Sequence, residues 1–342
     1  MLSETIFING GPSSAAIPRK RPTLRHRHSL IAAATAAGLI ATAALSGCST
    51  GSGNDSPVVR PLIVTSTTVW GSVAQAIVGD RGTVRALYTT PDGDPHDFTP
   101  SAADSASVSD ADIVLMNGGH YDEYLAKAKK SPTATVIDAA ALIGVGDRPG
   151  GQDRDGHDTA RPEHSADSAN EHVFYNLTAV RRSADALAAA LAEHAPDHAA
   201  DYRRNAADFG RQLDGLVGKL DGIAARHSGT RVAQTEPLAG YLIAAAGLVD
   251  ASPPAFTAAV ENGQSPSAAD RAKLDDLLTS RTARVLLYNT QAVDPVTAAV
   301  RATAEKSGVP VVTLTESLPA GVTSYLVWQG SQIDALARAL DK

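Results

Sequence analysis

Short apolar runs alternate with amphipathic stretches from residue 62 to the C-terminus. The apolar runs predict strands at 62–65, 84–88, 113–116, 134–137, 231–235, 285–288 and 309–314. The stretches between them predict helices at 70–78, 101–110, 121–130, 238–246, 267–279, 294–306 and 331–340. Because strands that alternate with helices form parallel sheets covered on both faces, the pattern predicts an α/β fold.

A further helical region begins at Leu177 and continues to about residue 227, divided by Pro196. Beyond the proline, apolar residues recur at spacings of three and four: Tyr202, Ala206, Phe209, Leu213, Leu216, Leu220 and Ile223. This stripe predicts one helix of about 28 residues, roughly 42 Å long, which can span two domains. We therefore expect two α/β lobes, at 62–196 and 229–342, each with a mainly parallel sheet flanked by helices. A long linking helix at 197–228 would join them, with the functional site in the cleft.

The first 47 residues have the layout of an export signal. Basic positions at 19–28 precede an uncharged, alanine-rich run at 30–45, which is shorter than the ~20 residues needed to span a membrane. The run ends in Leu45-Ser46-Gly47-Cys48, which resembles the lipobox of bacterial lipoproteins and predicts lipidation of Cys48. Residues 48–61 are rich in Gly, Ser and Pro and predict a flexible tether. We expect an exported protein, anchored by lipid on the outer face of the cytoplasmic membrane.

Composition and charge narrow the possible functions. The formal charge is −7 for the whole chain and −11 beyond residue 47, with no basic patch, which argues against a nucleic-acid partner. A single cysteine excludes a disulfide framework and a multi-thiolate zinc site. Any metal must therefore be held by His, Asp and Glu. From residue 62 onward the sequence has no H-E-x-x-H, G-x-S-x-G or Walker A motif and no G-x-G-x-x-G after a strand, so no enzyme is indicated. We expect a monomer.

Four polar side chains stand near predicted strand or loop ends, where open α/β sheets bind ligands. His96 follows the strand at 84–88, His172 lies just before a helix, and Glu236 and Glu316 each follow a strand of the second lobe. Two imidazoles and two carboxylates would give a ligand set that suits Zn²⁺ or Mn²⁺. Each residue alone is a weak signal, because a loop histidine is usually solvated and a strand-end glutamate often caps a helix.

A polar segment at 144–171 interrupts the pattern. It has no Val, Ile or Leu from residue 152 onward, and it contains His157 and His164. The composition predicts a mobile surface loop. Its histidines would either collect metal weakly or be merely solvated.

Several motifs in order resemble the periplasmic or surface metal-binding receptors of ATP-driven zinc and manganese importers. The resemblance covers nearly all of residues 60–342 and rests on Asp94–Phe98, Ser109–Gly119, Asn170–Phe174, Thr235–Pro237, Gly240–Leu242 and Ala246–Leu248. It implies a receptor that captures Zn²⁺ or Mn²⁺ and delivers it to an ABC-type permease with an ATPase subunit.

The resemblance also implies the ligands. His96 and His172 would come from the first lobe. Glu236 stands where zinc-dedicated relatives often have His and manganese-type relatives have Glu, and Glu316 stands where many relatives have Asp. His120, in Asn117-Gly118-Gly119-His120, is the alternative fourth ligand in place of Glu316.

Two other functions stay open, a surface adhesin on the same fold and a secreted metallohydrolase. A hydrolase would need three ligands, an open coordination position and a general base, whereas four candidate ligands favour a receptor. The long helix predicts modest lobe tilting rather than wide hinge opening. The choice between metals is open, because two carboxylates admit Mn²⁺ while the histidine-bearing loop favours Zn²⁺.

Overall fold

The computed structural model describes residues 60–145 and 170–342. The predicted export signal, Cys48, most of the tether, and the loop with His157 and His164 lie outside these residues. What the sequence indicates about them therefore stays a prediction.

The first lobe is a four-stranded parallel sheet covered by helices on both faces. Its strands are β1 (Leu62–Thr67), β2 (Thr83–Tyr88), β3 (Ile113–Met116) and β4 (Thr135–Asp138), in the order β2-β1-β3-β4. Its helices are α1 (Thr68–Val78), α2 (Ala102–Asp110), α3 (Glu123–Lys127) and α4 (Leu177–His194). All four strands occur where the apolar runs predict them, with ends that differ by at most two residues.

The long helix α5 (Ala199–His227) has 29 residues. Every residue of its predicted apolar stripe is buried, because the three-and-four spacing places them all on one face. That face packs on α1 and α4 of the first lobe and on two helices of the second. A short 3₁₀ turn at Pro196–His198 separates α5 from α4, as the proline predicts.

The second lobe repeats the strand order of the first. Its strands are β5 (Arg231–Gln234), β6 (Val249–Asp250), β7 (Leu286–Asn289) and β8 (Val311–Leu314), all parallel, in the order β6-β5-β7-β8. Its helices are α6 (Gly240–Ala245), α7 (Pro254–Glu261), α8 (Ala268–Thr279), α9 (Pro295–Lys306) and α10 (Tyr325–Leu340). The predicted fold class is thereby confirmed.

One hydrophobic core runs through both lobes. It extends from Ile63 and Trp70 in the first lobe, through the α5 stripe, to Trp328 and Leu336 in the second. Two smaller cores lie on the other faces of the two sheets. Pulling the lobes widely apart would expose the shared core to water, at a cost of about 25 cal/mol for each Å² of apolar surface.

Three differences from the predicted elements concern helices. Helix α3 is shorter than the predicted 121–130, and α10 begins at Tyr325 rather than at 331 because Ser324 caps it. Helix α7 is absent from the sequence prediction, although Pro254 at its first position is a favourable helix start. Among the described residues, no helix is long and apolar enough to cross a membrane.

Candidate metal centre

Loops that follow strands of both sheets meet at one largely buried point. There, Nε2 of His96 lies 3.4 Å from Oε2 of Glu316, and Nε2 of His172 lies 3.5 Å from the same oxygen. The structure therefore brings together three of the four residues that the sequence singles out. The side chains of His172 and Glu316 are fully buried, whereas that of His96 is 26% exposed.

His96 sits on a short 3₁₀ turn, Pro95–Asp97, in the loop after β2. The Asp94 side chain caps this turn by accepting a hydrogen bond of 2.8 Å from the His96 backbone N–H. The imidazole packs edge-on against the rings of Tyr121 and His172, with centroids 4.9 and 5.8 Å away. The proline and the cap fix the backbone, and the ring nitrogen Nε2 lies 3.4 Å from Oε2 of Glu316.

His172 is oriented by the amide of Asn170. Oδ1 of Asn170 accepts hydrogen bonds from the backbone N–H of His172 at 2.9 Å and from its Nδ1 at 3.1 Å. The amide cannot be reversed, because its Nδ2 donates to the carbonyl of Pro237 at 2.7 Å. Nδ1 therefore carries a proton, and Nε2 is the atom directed at Glu316. A second partner of this kind is what metal-ligating histidines normally have.

Glu316 is held from several sides. Oε2 accepts a hydrogen bond of 2.9 Å from the Tyr121 hydroxyl, and Oε1 accepts one of 2.7 Å from Nδ2 of Asn289. Its backbone N–H donates to Oε1 of Gln291 at 2.5 Å. The carboxylate is thus fixed in place by groups from both lobes.

Glu236 and His120 stand apart from this trio. Glu236 is only 4% exposed and accepts a hydrogen bond from Nδ2 of Asn289, the same amide that binds Glu316. His120 projects from an exposed position, where Nδ1 lies 2.9 Å from Oε1 of Glu123. Among the described residues, the groups of side chains close enough to share one metal ion include neither Glu236 nor His120.

Burial and mutual charge shift the pKa values in opposite directions. Burial disfavours the charged form of each histidine, but the Glu316 carboxylate outweighs it and raises the pKa of His96 to about 10. The charges of Glu261 and Glu316 likewise outweigh burial and raise the pKa of His172 to about 9. The two histidines hold the pKa of Glu316 well below its usual range despite its burial.

Two other carboxyls at the centre lack such strong compensation. Burial, reinforced by the charge of Glu316, raises the pKa of Glu236 well above its usual range. Burial also raises the pKa of Glu261 to about 7, against the opposing charges of His172 and His96. The centre therefore combines one ionised carboxylate with protonated neighbours, and a cation could replace these protons.

Two acidic residues at the centre were missed by sequence reasoning. Oε1 of Glu261, the last residue of α7, lies 3.7 Å from Nε2 of His172. The carboxylates of Glu261 and Glu171 also form a second group with His96, in which one ligand atom of each residue lies within 4.8 Å of the others. The proline start of α7 was the only available signal for Glu261. Glu171 adjoins a predicted ligand but follows no strand.

The positioning residues were missed for a different reason. Asn289 acts through a hydrogen bond to the side chain of Glu316, 27 positions away, and Asn170 orients His172 while its own amide is held by the distant Pro237 carbonyl. Asn289 stands one residue beyond the predicted strand at 285–288, where the strand-end rule could have found it.

Comparison with known proteins gives consistent matches. The family model described as zinc-uptake complex component A, periplasmic, matches residues 63–339. The manganese-binding lipoprotein MntA of Halalkalibacterium halodurans is 28% identical over 156 residues, 45% of this chain and 46% of that protein. The high-affinity zinc uptake system protein ZnuA of Bacillus subtilis is 25% identical over 255 residues, 74% of this chain and 78% of that protein. The chain spans about half the length of the first of these two relatives.

Solved structures share the fold. The solute-binding protein FpvC of Pseudomonas aeruginosa in complex with Mn²⁺ superposes with a TM-score of 0.63 at 23% identity, covering 83% of this chain and 99% of that one. The motifs that resemble metal receptors lie within the matched residues. The chain belongs to the family of zinc-uptake complex component A, the periplasmic metal-binding proteins.

Proposed function

We propose that this chain is an extracytoplasmic receptor that captures Zn²⁺ or Mn²⁺ and delivers it to an ABC-type permease with its ATPase. The observation that carries the proposal is the meeting of His96, His172 and Glu316 at 3.4 and 3.5 Å. Ligand atoms of a tetrahedral site with bonds of ~2.0–2.1 Å lie about 3.3 Å apart. The two histidines thus stand at nearly this spacing from Glu316, and the ligand atoms of all three side chains lie within 4.8 Å of one another.

The polar atoms of the centre also favour the binding of a cation. Nε2 of His172 is buried and has no hydrogen-bond partner among the described residues. Buried polar atoms are normally paired, so an unpaired ring nitrogen directed at a carboxylate suits a ligand. On binding, the ion would displace the histidine protons and balance the negative charge of Glu316.

Glu236 completes the proposed ligand set of His96, His172, Glu236 and Glu316. It shares one amide donor with Glu316, so the two carboxyl groups are held close together, and the charge of Glu316 adds to burial in raising the pKa of Glu236. A divalent ion would neutralise both. This N₂O₂ set suits Zn²⁺ and admits Mn²⁺.

Delivery and anchoring rest on the family and on the N-terminal sequence. The family description names an uptake complex, and a relative is named a lipoprotein, in agreement with the lipobox-like Leu45–Cys48. A transport receptor has no need of an open coordination position or a general base, which an enzyme would require. Cys48→Ala should move the protein from the membrane fraction to the medium.

Calorimetric titration of the metal-free protein with Zn²⁺ and with Mn²⁺ tests the site. His172→Ala should weaken binding by about 100-fold or more, because even changes to groups behind the ligands cost about 10- to 100-fold. His120→Asn is the matched control; Asn is chosen because residue 120 has a φ of 79°, which Asn tolerates. It should bind like the wild type. If His172→Ala binds normally, or His120→Asn abolishes binding, the proposed ligand set is wrong.

Delivery needs a separate test in cells. A strain lacking this chain should grow poorly in chelator-treated medium and recover when Zn²⁺ or Mn²⁺ is added back. The His172→Ala variant should fail to restore growth. Normal metal uptake together with a loss of attachment to host matrix would instead indicate the adhesin.

A further inference from the structure

Glu261 lies beside the proposed metal site and is not one of the four proposed ligands. It ends α7, and its side chain is 14% exposed. Oε1 lies 3.7 Å from Nε2 of the fully buried His172. A carboxylate oxygen of Glu261 also lies within 4.8 Å of a ring nitrogen of His96. The carboxylate is therefore near both imidazoles.

The backbone of Glu261 is firmly placed. Helix α7 begins with Pro254 at its first position, and its Phe256 and Val260 are buried in a core of the second lobe. Val260 immediately precedes Glu261, so the carboxylate projects from a packed element rather than from a free loop. Precise placement of this kind is what a metal ligand requires.

Two buried atoms of the Glu261–His172 pair have no hydrogen-bond partner among the described residues. They are Nε2 of His172 and Oε2 of Glu261. Leaving buried polar atoms unpaired is unfavourable, and native proteins rarely do so without a functional reason. An ion bound by both residues would satisfy both atoms.

A third carboxylate changes which ion the site favours. Zn²⁺ is satisfied by four ligands in a tetrahedron and favours nitrogen and sulfur donors. Mn²⁺ favours oxygen donors and takes an octahedral arrangement. Adding Glu261 to two imidazoles and two carboxylates supplies an oxygen donor that Mn²⁺ can use and that Zn²⁺ does not need.

We propose that Glu261 is a fifth metal ligand and that it shifts the relative preference of the site from Zn²⁺ toward Mn²⁺. This inference rests on the proposed function, because it presupposes that His96, His172, Glu236 and Glu316 hold the ion. The four ligands alone do not distinguish the two ions. In this proposal, the residue at the end of α7 does so.

The test is a titration of the purified metal-free protein and its Glu261→Gln variant with Mn²⁺ and Zn²⁺ in turn. Glutamine keeps the size of the side chain but removes its charge and its second carboxylate oxygen. We expect Mn²⁺ affinity to fall about 10- to 100-fold, as for other losses around metal sites, and Zn²⁺ affinity to change much less. Glu261→Asp, which withdraws the carboxylate by one methylene, should give an intermediate loss for Mn²⁺.

Glu171→Gln is the matched control, because it removes the same charge from the same group of side chains around His96. It should weaken both ions slightly and equally, as a change in overall charge would. The visible spectrum of Co²⁺ gives a second readout. Absorption should be weak in the wild type, with more than four ligands, and strong in Glu261→Gln, with a tetrahedron.

The outcomes separate the two proposals. Equal losses for both ions, or no loss for either, would overturn the role of Glu261. If His172→Ala abolishes binding while Glu261→Gln changes neither affinity nor the Co²⁺ spectrum, the four-ligand site stands and only the fifth ligand is wrong. If the wild type binds neither ion, the proposed function itself fails.

Discussion

The two lobes contribute opposite halves of the candidate site and hold them in different ways. The first lobe contributes the imidazoles of His96, on a short 3₁₀ turn, and of His172, just before another such turn. The second contributes buried carboxylates, and Glu316 among them is fixed by side-chain amides from the segment that ends and follows β7. The acidic half is therefore tightly held, whereas the basic half depends on a short turn and on one amide.

This difference indicates where an ion would enter and leave. His96 is the most exposed of the three residues that meet, and it lies on the turn at Pro95–Asp97. Phenolic hydroxyls tie the lobes together beside it, with Tyr121 donating to Glu316 and Tyr175 donating to the carbonyl of Thr315 at 2.8 Å. Because the shared core and these bonds resist lobe separation, we expect release through movement of the His96 turn.

The largest expected effect is the dependence of metal affinity on pH. Both histidine pKa values are raised, to about 10 for His96 and about 9 for His172, so both rings carry protons near neutrality. Metal must displace them, and affinity should rise by about 10- to 100-fold per pH unit between about pH 6 and pH 8. Titration in buffers of different ionisation enthalpy would measure the number of protons released per ion, which includes any proton held by Glu236, whose pKa is also raised.

The same pKa shifts predict that the stability of the metal-free protein falls as the pH rises, whereas metal affinity increases. Histidines with raised pKa values stabilise the folded state fully below about 6.5, their unfolded pKa, and this contribution is lost as the pH rises through about 9 to 10. Urea unfolding without metal would measure it. In Glu316→Gln the histidine pKa values should fall and both trends should shrink. Unchanged trends in that variant would mean that Glu316 does not control the histidines.

The next largest effect on metal affinity should come from Asn170, which orients the imidazole of His172 by bonding its Nδ1. Asn170→Ala removes the acceptor for Nδ1 of His172 and the bond to the Pro237 carbonyl. Zn²⁺ affinity should fall by about 10- to 100-fold. Asn205→Ala, which removes an amide bond to the Ile77 carbonyl far from the centre, is the control in the same calorimetric titration.

A glycine offers a way to sharpen this result. A Cβ added at residue 240 would lie 2.5 Å from Nδ2 of Asn170, closer than atoms can approach. Gly240→Ala should therefore displace Asn170 and weaken Zn²⁺ binding in the same direction. If Asn170→Ala and Asn205→Ala bind equally well, the basic half does not depend on this amide.

The sequence predicts the fold well because the spacing of apolar residues follows the local geometry of helices and strands. The α5 stripe and all the strands except β6 follow from periodicity alone. The strand-end rule likewise places Glu316 at the centre, because carboxyl ends of parallel strands share one edge of a sheet. Glu236 shares the amide donor of Asn289 with Glu316, and its role as a ligand stays a prediction.

What the sequence does not predict depends on tertiary contacts. Glu261 enters the centre on a helix whose proline pair is more typical of a loop, and no spacing rule relates it to His172. Asn289 matters only because its amide reaches two carboxylates, 53 and 27 positions away in the chain. Such relations arise when the lobes pack, and a single sequence does not encode them locally.

The smallest expected effect concerns that amide and tests whether the acidic half is built to receive a cation. Asn289→Ala leaves Glu236 and Glu316 without their shared donor in a buried place, which should destabilise the metal-free protein by about 1–3 kcal/mol. Urea unfolding would measure the loss. Asn262→Ala, which removes an exposed amide bond to the Ala258 carbonyl, should cost less than about 0.5 kcal/mol. Bound Zn²⁺ should reduce the cost of Asn289→Ala, because the ion then neutralises the carboxylates that the amide otherwise stabilises. An equal cost with and without Zn²⁺ would show that the amide serves only to hold the loops, and the acidic half would then lose its interpretation as a preformed cation site.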